Sequence, residues 1–264
     1  SAVPITLGVL GTLAFGAFLT VEQRSGHPLV PLELFREPRF TAPNVVTFVV
    51  YAALSGALFL LPIQLQQVAG YSPLEAGAAL LPLTVVMLLL SARMGRLASR
   101  IGPRLPMTVG PVVAGVGLAL LTRIDGSGGY VNQVLPAVLV FALGLSATVA
   151  PLTATVMAAG GEDHAGVSSA INNAVARIAG LFAVALIPVL AGISGADYRV
   201  PAAFAEGFRT GSWICAALCA AGGLLAFATI RNAELGPLPH ETASHCPLDA
   251  PPLRRTTAAA ALDG

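Results

Sequence analysis

Lysine is absent from the 264 residues, so all fourteen basic side chains are arginines, and charged residues make up 10% of the chain against a hydrophobic share of 55%. A soluble domain carries about 25% charged residues, which excludes a soluble globular protein. The missing lysine also excludes a retinal-type Schiff base. With 14 basic and 13 acidic residues the net charge is +1, so no basic field exists to hold nucleic acid, and no nucleic-acid partner is expected. The three cysteines, Cys215, Cys219 and Cys246, are too few and too unevenly placed for a disulfide framework. Cys215 and Cys219 stand at i, i+4 in line with Gly223, as close helix packing requires, and His240, His245 and Cys246 could hold a metal only by ordering a polar tail. No HExxH, P-loop, GxSxG or paired-cysteine metal pattern occurs. No metal, cofactor or enzymatic activity is therefore expected. The chain opens Ser-Ala-Val-Pro, with neither Met nor a basic leader, and reads as the carboxyl-terminal portion of a longer membrane protein.

Long apolar runs dominate what is present. A helix crosses roughly 30 Å of hydrocarbon with about 20 apolar residues, and seven uncharged stretches meet that length: about 3–21, 40–62, 74–92, 105–122, 134–155, 167–190 and 210–230. The expected fold is an all-α polytopic membrane protein with seven transmembrane helices. Arg177 is the charge well inside a span, and Glu75 sits at the lip of the third. Arg24, Arg36 and Arg39, then Arg93, Arg96, Arg100 and Arg104, then Arg231, Arg254 and Arg255 occupy alternate connections, leaving only Arg123, Arg199 and Arg209 for the other side. Short cytoplasmic loops are enriched in Lys and Arg. The arginine-rich side is thus expected to be cytoplasmic, with the amino end outside and the carboxyl terminus inside. Between the first two spans, Leu29, Leu32 and Phe35 oppose Glu33, Arg36 and Glu37, the pattern of a short interfacial helix. From 236 the chain is rich in Pro, Ala and Thr and is expected to be disordered. Three regions follow: 1–39, a linker span with the interfacial helix; 40–232, a six-helix bundle; and 233–264, a cytoplasmic tail.

The segment Arg93-Met-Gly-Arg-Leu-Ala-Ser-Arg-Ile-Gly-Pro-Arg104 offers a close helix approach at Gly95, a tight turn at Gly102-Pro103 and arginines that can meet helix C-termini. It resembles the G-x-L-A-D-R-x-G-R-R signature of the major facilitator superfamily through Gly95, Leu97, Ala98, Arg100, Gly102 and Arg104, with Ser99 where the family has its acidic residue. Leu34-Phe35-Arg36 before Phe40, Tyr71-Ser-Pro-Leu-Glu-Ala-Gly77 running into Leu81-Pro82, and Gly166-Val-Ser-Ser-Ala-Ile-Asn-Asn-Ala-Val-Ala-Arg177 before Ala179-Gly180 are together similar to its fourteen-span drug:proton antiporter branch. The resemblance implies a multi-pass protein of the bacterial plasma membrane, with the first span here the eighth of fourteen. The last six spans would form one major-facilitator-type bundle. The missing amino-terminal bundle of the same protein would be its partner.

Helical phase groups side chains three or four apart. On the second span Asn44, Thr47, Phe48, Tyr51, Ser55 and Phe59 share one face and aliphatic residues the other; on the fifth, Phe141, Gly144, Thr148, Pro151 and Thr155 align, with Pro151 available to free a carbonyl. Under the resemblance these are cavity-facing helices, making Asn44, Thr47, Phe48, Tyr51, Ser55, Phe59, Phe141, Thr148 and Pro151 the candidate substrate cavity. Helix-to-helix packing by small polar residues is the alternative. Arg177, costing about 2.5–3.5 kcal/mol at the bilayer centre on the insertion scale, must pair, snorkel or face water. It shares a face with Asn173, and Gly95, Arg96, Arg100, Gly102, Arg104, Asn173 and Arg177 form the candidate cytoplasmic gate, a clamp onto backbone carbonyls being the other reading of Arg177. The expected activity is efflux of small amphipathic drugs or antibiotics across the lipid bilayer by alternating access in exchange for protons, with the coupling carboxylate in the missing part. A metabolite facilitator or importer of the same superfamily is the first alternative, a seven-span receptor or scaffold the second.

Overall fold

The computed structural model describes residues 2–25 and 32–232, and among them every regular element is helical. The elements are α1 (Ala2–Arg24), a 3-10 turn (Leu32–Arg36), α2 (Pro38–Gln67), α3 (Pro73–Ala78), α4 (Leu81–Ile101), α5 (Arg104–Leu121), a π turn (Tyr130–Val134) running into α6 (Leu135–Ala159), α7 (Gly161–Leu190), a second 3-10 turn (Asp197–Arg199) and α8 (Pro201–Thr229). In hydrocarbon every backbone polar group must be satisfied within the segment, which helices do. Seven of these stretches, with α3 and α4 counted as one crossing, are long and apolar enough to span a membrane. The protein is a multi-pass membrane protein.

Proline opens several helices, as at Pro38 and Pro201, where a missing N–H costs nothing. At α3 the start is set by Ser72 and Glu75: the Glu75 N–H donates to Ser72 Oγ (3.3 Å) and the Ser72 N–H donates to Glu75 Oε2 (2.8 Å), a reciprocal cap. The acid at the lip of the third span is thereby spent on capping. The break between α3 and α4 falls just before Pro82, whose nitrogen cannot donate to the carbonyl four residues back.

Several boundaries differ from the hydropathy reading. α4 continues to Ile101, so Arg93, Arg96 and Arg100 ride on its last turns and not in a loop; the connection expected over 156–166 contracts to Gly160; and α8 begins at Pro201. A 30-residue helix such as α2 is about 45 Å long, more than the hydrocarbon thickness. Apolar runs mark only the lipid-embedded part, and the charged ends beyond it stay helical. The interfacial helix is a 3-10 turn, with the Phe35 ring edge-on to Phe40 at 5.5 Å; Leu29 and the 233–264 tail lie outside the described residues.

In the bundle α4 rests on α6, α6 on α5, α5 on α8, α8 on α2 and α2 on α7, and α7 returns to α6. The α5–α6 seam is the tightest. A Cβ on Gly144 would stand 2.2 Å from the Ala114 nitrogen, so only glycine lets the two backbones approach this closely. α1 stands largely exposed, Leu13 at 64%.

The two ends of the bundle differ chemically. At one end Phe40, Val156 and Ile171 cluster, Thr155 donates to Met107 Sδ at 3.5 Å, and Arg104 meets the carboxyl end of α8; Arg36, Arg39, Arg93, Arg96, Arg100, Arg104 and Arg231 lie there. At the other end Gln64 Nε2 donates to the Ile124 carbonyl (2.8 Å) and the Tyr130 hydroxyl to the Ala79 carbonyl (3.2 Å). Arg123, Arg199 and Arg209 belong to that end.

Candidate functional site

The polar and aromatic face of α2 divides in two. Asn44 and Thr47 are buried, not open: Asn172 of α7 donates through Nδ2 to Thr47 Oγ1 (2.7 Å) and to Asn44 Oδ1 (3.2 Å). Thr47 Oγ1 donates onward to the Pro43 carbonyl (2.9 Å) and Asn44 Nδ2 to the Phe40 carbonyl (2.8 Å). These two side chains fasten α2 to α7, a use polar groups serve between membrane helices. Phe48 is 38% exposed, its ring 6.4 Å from that of Phe182, itself 54% exposed. Tyr51, Ser55 and Phe59 are half-buried, and a Cβ on Gly180 of α7 would come within 2.9 Å of Ser55 Oγ.

On α6 the expected cavity residues are buried within this bundle. Phe141 is 2% exposed and Thr148 0%, and Pro151 is buried as well. The Phe141 and Thr148 backbones lie against Gly117 and Gly110 of α5, and α6 runs unbroken through Pro151. Phe141 and Thr148 form part of the α5–α6 seam. A stripe of small, polar and aromatic side chains looks the same from the sequence whether it faces a ligand or a closely packed helix. The exposed side of α6 is instead apolar, at Leu143, Ala154 and Met157. Polarity sorting could not find it.

The arginine-rich end holds one built contact. Gly102 adopts φ +87° and ψ 155°, a backbone region open essentially to glycine, and turns the chain from α4 into α5. There the Arg104 N–H donates to Asn232 Oδ1 (3.2 Å), Arg104 Nε to the Phe227 carbonyl (3.2 Å), and the guanidinium lies 4.4 Å over the Phe227 ring. A cation thus sits on the carboxyl end of α8, where the helix dipole favours it. Gly95, near Ala150 of α6, Arg96 and Arg100 lie on the last turns of α4, both arginines exposed. Asn173 and Arg177 are exposed on α7, away from this turn, so the structure does not bring the seven gate residues together.

Asn172, the most connected polar side chain between two helices, was missed in favour of its neighbour Asn173. Its phase relative to Asn44 and Thr47 on a second helix was the only signal. Cys215 and Cys219 are buried where α8 meets α2 and α5, close to Gly56 and Gly115. At the other end, Asp125 is held down at about 2 by hydrogen bonds from Gln133 and Ser127, and Asp197 lies below the usual carboxylate range through bonds from Ser194.

Residues 2–184 match the family model of the Major Facilitator Superfamily. The chain belongs to the major facilitator superfamily. It is 32% identical over 187 residues to the tetracenomycin C resistance and export protein of Streptomyces glaucescens, covering 70% of this chain and 35% of that protein. It is 30% identical over 185 residues to the lincomycin resistance protein of Streptomyces lincolnensis, covering 69% and 38%. With the quinolone resistance protein NorB of Staphylococcus aureus (strain COL) it shares 31% identity over 233 residues, 86% of this chain and 47% of that protein. The chain therefore spans less than half the length of these superfamily relatives.

Proposed function

We propose that this chain is the carboxyl-terminal part of an efflux transporter of the fourteen-span antiporter branch, exporting amphipathic compounds by alternating access in exchange for protons. It is a transporter and not an enzyme. The observation that carries this reading is the open aromatic pair of Phe48 and Phe182 on a superfamily bundle whose relatives are named for resistance and export. Phe48, with half-buried Tyr51 and Phe59, offers stacking and apolar contact to a substrate, while Asn44 and Thr47 hold the helix that presents them. The Gly102–Arg104 turn is the cytoplasmic latch. No carboxylate of the described residues lies deep in a span, so the proton-coupling group belongs to the remainder of the protein.

In the full-length protein, Phe48→Ala should change which dyes are exported while membrane abundance holds. Phe141→Ala, opening a hole in a closed seam at a cost of about 3–5 kcal/mol, should lower abundance and reduce export of every dye in proportion. Export of three chemically distinct dyes, normalised to protein level, decides the matter. A loss in Phe48→Ala that is uniform and tracks abundance removes this face from the binding site.

A further inference from the structure

α7 carries a charge at a depth where none of the other described charges lies. Arg177 is thirteen residues from either end of the crossing His164–Leu190, midway along it. Asn172 is bonded to Thr47, and Gly180 stands against Ser55 eight residues further along both helices. α2 and α7 therefore run in register, and Arg177 is level with Ala52, midway along α2. The packed face of α7 is Ser168, Asn172, Ala179, Ala183 and Ile187. Asn173, Arg177, Leu181 and Val184, at i, i+4, i+8 and i+11, form an exposed stripe on the opposite side. Arg177 makes no hydrogen bond or ion pair among the described residues, so the alternative of a clamp onto backbone carbonyls is not what these residues form.

A stripe holding Asn and Arg at this depth cannot face hydrocarbon, because an uncompensated charge there is costly on every scale. An anion from a neighbouring helix would compensate it. We propose that Arg177 is the cationic half of an intramembrane ion pair, and that the Asn173–Val184 stripe docks on a transmembrane helix that bears a carboxylate and belongs to the part of the protein beyond this sequence. Two observations select that occupant. The relatives are more than twice as long as the matched region, and Ile178 and Leu181 beside the charge are exposed apolar side chains suited to a helix surface. The inference rests on the chain being one bundle of a longer transporter and is independent of what is exported.

The test uses the full-length protein in detergent, read first by its melting midpoint, which needs no transport. Arg177→Glu should lower the midpoint by several degrees and Arg177→Lys should largely preserve it. With Arg177→Glu as background, changing each intramembrane Asp or Glu of the other spans to Lys should restore the midpoint at one position only. An unchanged midpoint in Arg177→Glu, or no restoring swap, overturns the pair. Selective loss of carboxylate-bearing dyes in Arg177→Gln, with an unaltered midpoint, would also overturn it and make the anion a substrate. Restoration of the midpoint by one swap, with no dye exported by the unaltered protein, would support the pair while removing the efflux reading.

Discussion

Two adjacent asparagines on α7 meet opposite environments. Asn172 is buried and donates to two side chains of α2, whereas Asn173 is exposed. Removing the Asn172 amide leaves Asn44 Oδ1 without its donor while Thr47 and Asn44 keep their bonds to their own helix. Interhelical hydrogen bonds of this kind contribute about 0.6–2 kcal/mol each, so Asn172→Ala should lower the melting midpoint of the purified protein by several degrees. Thr153→Ala is the comparison. Thr153 Oγ1 bonds only the Val149 carbonyl within α6, and its loss should leave the midpoint nearly unchanged. Equal shifts in the two variants would mean that Asn172 does not fasten α2 to α7.

The helices themselves were legible, because a long uncharged run in this composition has no other stable form in a bilayer. Their partners were not. Phase fixes a direction around one helix and says nothing about which neighbour lies in that direction. The polar side chains of α2 and the aligned stripe of α6 looked equivalent, yet Asn44 and Thr47 meet Asn172 while Phe141 and Thr148 meet the α5 backbone. The Gly102 turn was legible for a different reason: glycine before proline, after arginines, leaves few backbone routes. Its strength can be measured. Gly102→Ala forces a side chain into a region that costs about 1–3 kcal/mol and drives its Cβ to 2.3 Å from Asn232 Oδ1, which should release Arg104 from the end of α8. Hydrogen exchange over residues 225–232 should rise. Gly95→Ala should leave it unchanged, since a Cβ there meets only the Ala150 methyl at 3.7 Å; comparable exchange in both would show that the turn does not hold α8.

At the scale of the whole molecule the arginines carry the orientation. Helix packing gathers Arg36, Arg39, Arg93, Arg96, Arg100, Arg104 and Arg231 at one end of the bundle and leaves Arg123, Arg199 and Arg209 at the other, an asymmetry of the sense that retains a loop in the cytoplasm. The opposite end is knit differently: Asp125 accepts from Ser127 and Gln133 and Asp197 from Ser194, carboxylates that stay ionised well below neutral pH and keep those loops folded without basic partners. The arginine-rich end should therefore face the cytoplasm. Ser127→Cys and Ser99→Cys, each introduced singly in a protein whose own cysteines are replaced, place an exposed thiol at opposite ends. In intact cells an impermeant thiol reagent should label position 127 and spare position 99 until the membrane is opened. Reaction at both positions in opened cells shows that each thiol is accessible to the reagent. Labelling at 99 with protection at 127 would invert the molecule, put the Gly102–Arg104 turn outside, and remove its assignment as a cytoplasmic latch.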